Sequence, residues 1–130
     1  MQERAKHYYI DEGKNCAVSL LMAANDVYQL GLSGDVAKLF VGFGGGLQCG
    51  RTCGALSGSV AALSQRYAGR PDFKELVGGF VAAFEEAAGC GSVDCAVLTE
   101  KYKTESERCL ATVRLAAQTL ESYIAKVEEA

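Results

Sequence analysis

Apolar residues recur along this chain at steps of three and four, the spacing that places side chains on one face of an α-helix. Cys16, Leu20, Ala23, Val27 and Leu30 form one stripe that runs to Gly31, and Cys53, Leu56, Val60, Leu63 and Tyr67 form a second that fades by Ala68. Phe73, Val77, Phe80, Phe84 and Ala87 make a third, and Leu110, Val113, Ala117, Leu120, Ile124 and Val127 a fourth. A shorter stripe passes through Cys95, Leu98 and Tyr102, and a brief helix through Val36, Leu39 and Phe40. No segment alternates apolar and polar residues for long enough to be a strand. The pattern predicts an all-α fold, a single domain over residues 1–130 built as a bundle of four to five main helices. Residues 2–13 read as an N-terminal arm or short helix whose Tyr8, Tyr9 and Ile10 are able to dock.

Punctuation supports these boundaries. Asn15, Thr52 and Ser92 are suited to cap the helices that follow them, Ser33 or Asp35 to start the brief one, and Pro71 suits a first helical turn. Gly78-Gly79 falls inside the third stripe, where each glycine costs a helix about 1 kcal/mol against alanine. Close packing or a kink is the expected reason.

The stretch 42–58 stands apart. Seven of the chain's 15 glycines lie there with Cys49 and Cys53. Gly44-Gly45-Gly46 reads as a glycine-rich loop that turns the chain, lets another group approach the backbone, or offers free amides to an anion. Leu47 stands where a dinucleotide fingerprint needs its third glycine, and no strand precedes it, so that motif is set aside. Gly54-x-x-x-Gly58 suits close helix packing.

Composition changes the picture through sulfur. Six cysteines in 130 residues, with no apolar leader at the amino terminus, suggest a cytoplasmic protein whose thiols are reactive or bind metal rather than form a disulfide framework. The net charge of −3 and the lack of a basic run give no support to nucleic-acid binding. No apolar run is long enough for membrane insertion. The single histidine, His7, has no cysteine nearby in sequence, and Asp11/Glu12, Glu85/Glu86 and Glu128/Glu129 read as solvated surface.

Cys16, Cys53, Cys95 and Cys109 each fall within about one turn of an expected helix start. The partial positive charge of a helix N-terminus stabilises a thiolate, so Cys53 is expected to be a low-pKa thiolate, with one of the other three as its resolving partner. Cys49 and Cys53 are not spaced for a disulfide on a regular helix.

The residues Asn15-Cys16-Ala17, Gly42-Phe43-Gly44-Gly45-Gly46, Cys53-Gly54-Ala55-Leu56-Ser57-Gly58, Cys95 with Leu98, and Cys109 closely resemble the C_GCAxxG_C_C family, named after its cysteine pattern and described as redox-active. The resemblance covers nearly the whole chain. It implies that Cys16, Cys53, Cys95 and Cys109 are the characteristic cysteines, with Cys49 and Cys90 as extras, and that the protein is small and prokaryotic.

The leading expectation is thiol–disulfide exchange with a redox partner protein or a small thiol, needing no cofactor. Whether that amounts to an enzyme, a thiol–disulfide oxidoreductase, stays open, as does homo-oligomerisation. The first alternative is zinc or an iron–sulfur cluster held by Cys16, Cys53, Cys95 and Cys109. The second is a structural or interaction protein whose cysteines only pack.

Overall fold

The computed structural model describes residues 1–129. They form seven α-helices and no strand: α1 (Gln2–Lys6), α2 (Cys16–Tyr28), α3 (Gly34–Ala37), α4 (Gly54–Tyr67), α5 (Phe73–Ala88), α6 (Cys95–Tyr102) and α7 (Leu110–Glu129). Two more helices are present than the upper end of the four to five expected. The additions are α1 and α3, of five and four residues, too short to carry a full apolar stripe. The stretch expected as a glycine loop is taken up largely by short turns, 3₁₀ over Lys38–Phe43 and wide and irregular over Gly46–Gly50, with Gly44 extended between them.

The stripes bury much as their spacing predicts. Leu110, Val113, Ala117, Leu120 and Ile124 of α7 are in the core, as are Leu56, Leu63 and Tyr67 of α4. Two expectations fail. Val27, in the last turn of α2 before its end at Tyr28, is 39% exposed. In α5 the buried face is Leu76, Phe80, Phe84 and Ala88, whereas Val77 and Val81 line an open apolar groove of about 790 Å³ along α4.

Helix directions follow from a few contacts. Near the ends of α4 and α7, Arg66 pairs with Glu128, and Tyr67 donates to the same carboxylate at 3.0 Å. Near their starts, Cys53, Cys109 and Thr112 line one cavity. These helices therefore run parallel. Helix α5 runs back along α7, with Tyr123 donating to the Leu76 carbonyl at 2.7 Å. Close packing accounts for Gly79, since a Cβ there would lie 2.5 Å from the Tyr123 hydroxyl; Gly78 faces open space.

Among the described residues, no helix is long and apolar enough to cross a membrane.

Candidate thiol site

The four helix-start cysteines are brought together by caps beside each of them and by contacts between distant segments. Asn15 caps α2, its Oδ1 accepting the Val18 N–H at 2.9 Å, and its Nδ2 donates to the Val41 carbonyl at 2.8 Å. The first residue of α2, Cys16, is thereby fixed against the glycine-rich stretch. Cys53 is itself the N-cap of α4, one residue later than expected from Thr52. Thr52 instead pairs with Asp94 in an isolated antiparallel bridge. On either side of that bridge, the Cys53 N–H donates to Val93 O at 2.9 Å and the Cys95 N–H to Arg51 O at 2.6 Å. The starts of α4 and α6 are stitched together in this way.

Helix α6 is preceded by Asp94 as its N-cap. Ser92, the expected cap, accepts the Asp94 N–H at 3.0 Å and so shapes the turn before it. Cys109 precedes α7, its carbonyl accepting the Val113 N–H at 3.0 Å.

Glycines permit the closeness. A Cβ on Gly54 would stand 2.7 Å from the Cys16 Sγ and 2.8 Å from the Phe43 carbonyl, and one on Gly58 would overlap the backbone of Ala17. The two glycines of the CGAxxG motif thus let α4 lie directly on the start of α2. Gly46 is pressed between the Arg51 backbone and the Cys95 Cβ, each 2.5 Å from where its own Cβ would be, and Gly44 lies against the Asn15 side chain. Close approach of other groups therefore explains Gly44 and Gly46, while Gly45 adopts a φ of +60°.

Cys16, Cys53, Cys95 and Cys109, with Leu98, Thr99 and Thr112, line one cavity of about 10 Å³, enough for about one water. Thr112 and Leu98 follow Cys109 and Cys95 by three positions on their helices, a helical-face signal that could have found them. The other two cysteines are elsewhere. Cys49 is exposed and its thiol contacts the Gly46 carbonyl at 3.7 Å; Cys90 contacts the Ala88 carbonyl at 3.4 Å. All six are free thiols.

Burial corrects the expectation for Cys53. Its sulfur accepts the Leu56 and Ala55 amides, the stabilisation expected of a helix start, yet loss of solvation outweighs them and pushes the thiol up to about 12. Cys53 is the most enclosed of the six, 4% exposed, and is a protonated thiol at neutral pH rather than a low-pKa thiolate. Burial also raises Cys16, against the Gly45 and Ala17 amides that pull it down, and the neighbouring Cys109 adds to the rise. Cys95 is raised by burial and by Cys16 and Cys109, but it is less enclosed, and Lys103 pulls it down.

Sequence reasoning left one residue beside these sulfurs without a role. Tyr9 is 6% exposed, and its hydroxyl accepts the Cys109 N–H at 3.1 Å. An aromatic pair in a polar arm was the only signal. Among the described residues, no three His, Cys, Asp or Glu side chains are grouped so as to hold a metal ion.

A family model described as "Putative redox-active protein (C_GCAxxG_C_C)" matches residues 14–123. A protein of Archaeoglobus fulgidus, described as an uncharacterized protein, is 39% identical over 66 residues, covering 48% of this chain and 44% of the relative. The chain thus spans less than half the length of that curated relative. No solved structure matches it.

Proposed function

Because the chain belongs to the C_GCAxxG_C_C family, whose description is "Putative redox-active protein", we propose that it exchanges thiols and disulfides at the cavity lined by Cys16, Cys53, Cys95 and Cys109. The observation that carries this reading is that four cysteines, from the starts of four helices, line one space with room for about one water.

In this reading, the roles expected from sequence are exchanged. Cys53, deepest and held as the thiol, is the inner partner. Cys95, more open than Cys53 and raised by burial against the weaker pull of Lys103, is the point of entry. The incoming thiolate of a redox partner protein or small thiol attacks the Cys95 sulfur of a disulfide. That bond breaks, and its electron pair leaves with the inner sulfur, which takes up a proton. A second thiolate of the partner then attacks the partner's own sulfur in the mixed disulfide, the bond to Cys95 breaks and Cys95 leaves as the thiolate, so that this protein gains two electrons and the partner becomes a disulfide. Gly44 and Gly46 serve close packing around the sulfurs rather than anion binding. A reducing, cytoplasmic setting suits a centre that rests as free thiols.

The test is anaerobic purification followed by metal and sulfide analysis and a free-thiol count before and after mild reduction. The reading predicts thiols that disappear and reappear in pairs, with no stoichiometric metal. Zinc or iron at one or more per chain, with thiols masked, overturns it in favour of thiolate-ligated metal at Cys16, Cys53, Cys95 and Cys109. Thiols that never pair, and whose change to serine lowers stability alone, favour a packing role.

A further inference from the structure

The N-terminal arm reaches the thiol cavity through one side chain. Helix α1 runs straight into a π-helical turn, His7–Asp11, a widened geometry often found at functional positions. Within that turn Tyr8 and Tyr9 part company. Tyr8 bonds Asp26 at 2.6 Å near the surface, while Tyr9 is buried. The Tyr9 hydroxyl accepts the backbone N–H of Cys109, a residue 100 positions away.

Arg108 completes the arrangement. Its guanidinium lies 4.6 Å from the Tyr9 ring centre and donates to the Tyr9 carbonyl at 3.3 Å. Arg108 is held at a φ of +52°, uncommon for a residue other than glycine. The bend leading to it is closed by two hydrogen bonds between Thr104 and Arg108, at 2.9 and 2.7 Å. The amide that Tyr9 binds would otherwise be among the unpaired N–H groups at the start of α7, and the Cys109 sulfur is three covalent bonds from that nitrogen.

We propose that Tyr9 is a positioning residue for Cys109, its hydroxyl and the Arg108 stack together fixing the start of α7 so that the Cys109 sulfur stays in the cavity with Cys16, Cys53 and Cys95. Tyr9 does not itself line the cavity, and it acts through Cys109. It also precedes the segment matched by the family model, which begins at residue 14, so this contribution comes from the chain's own arm. The inference rests on the thiol-exchange reading and names a residue that serves it.

The experiment equilibrates the full chain in glutathione buffers of graded ratio, quenches by alkylation and quantifies each disulfide by peptide mass spectrometry, for the wild type and Tyr9→Phe. The phenylalanine keeps the ring and loses only the hydroxyl. The equilibrium constant for disulfides that contain Cys109 is expected to fall about fivefold, the scale of one hydrogen bond, with disulfides lacking Cys109 unchanged. Arg108→Asn, which tolerates the left-handed backbone, is expected to lower the same constant and provides the test if Tyr9→Phe does not fold. Unchanged equilibria in a variant that merely melts earlier overturn the proposal. A wild type that forms disulfides only without Cys109 overturns it while leaving thiol exchange standing; a wild type that forms none overturns both.

Discussion

At Cys53 two familiar effects oppose each other within one side chain. The helix-start amides of Ala55 and Leu56 favour the thiolate, and burial disfavours it more strongly. The consequence is a pH dependence with a definite sign. Between the ordinary thiol value of 9.0 and about 12, the folded protein keeps a proton on Cys53 that the unfolded chain has lost. Stability from this group is therefore full below pH 9 and is lost as pH rises toward 12, at up to about 1.4 kcal/mol per pH unit. Burial gives Cys16 and Cys95 the same sign. Denaturant titrations from pH 7 to 10.5 should show this decline, and Cys53→Ala should make it shallower while leaving the part from Cys16 and Cys95; an identical slope in the variant would refute the burial argument. The four cysteines were legible as helix-start residues because caps and stripes are local. Their pKa values were not, because burial depends on which helix starts meet.

Glycines separate local from tertiary information at the scale of the element. Gly78 and Gly79 are equivalent by sequence, but only Gly79 has a neighbour within reach, the Tyr123 hydroxyl. Gly78→Ala should stabilise the protein by about 0.5–1 kcal/mol, by restoring helix propensity in open space. Gly79→Ala should destabilise it. In α4, Gly58→Ala should cost about 1–3 kcal/mol, since the overlap is with the fixed backbone of Ala17. Gly54→Ala should cost less in stability, and it should also alter Cys16 reactivity, because the Cys16 sulfur is one of the atoms that must move. Chemical denaturation of the four variants checks the order. For α2, Asn15→Ala removes both the cap and the bond to Val41, and a loss of about 0.5–2 kcal/mol is expected. The stripes of α4 and α7 could be read directly, since both faces of the pattern are decided by one core. Phe80 and Phe84 of the α5 stripe are buried as expected, but Val77 lines an open groove, and an apolar residue at a groove looks the same in sequence as one in the core.

Across the whole molecule, the parallel course of α4 and α7 and the Thr52–Asp94 bridge between the starts of α4 and α6 gather the helix starts at one end. Helix order alone does not reveal this, which is why the sequence left the pairing of six cysteines open. The arrangement divides them into four that share a cavity and two, Cys49 and Cys90, that do not. Mapping the disulfides formed on mild oxidation of the native protein tests that division most directly. Bonds confined to Cys16, Cys53, Cys95 and Cys109, with Cys53 among the bonded residues and Cys49 and Cys90 recovered as free thiols, are the predicted result. Disulfides that join Cys49 or Cys90 within the native chain, or a Cys53 that never pairs, would contradict a shared four-sulfur centre.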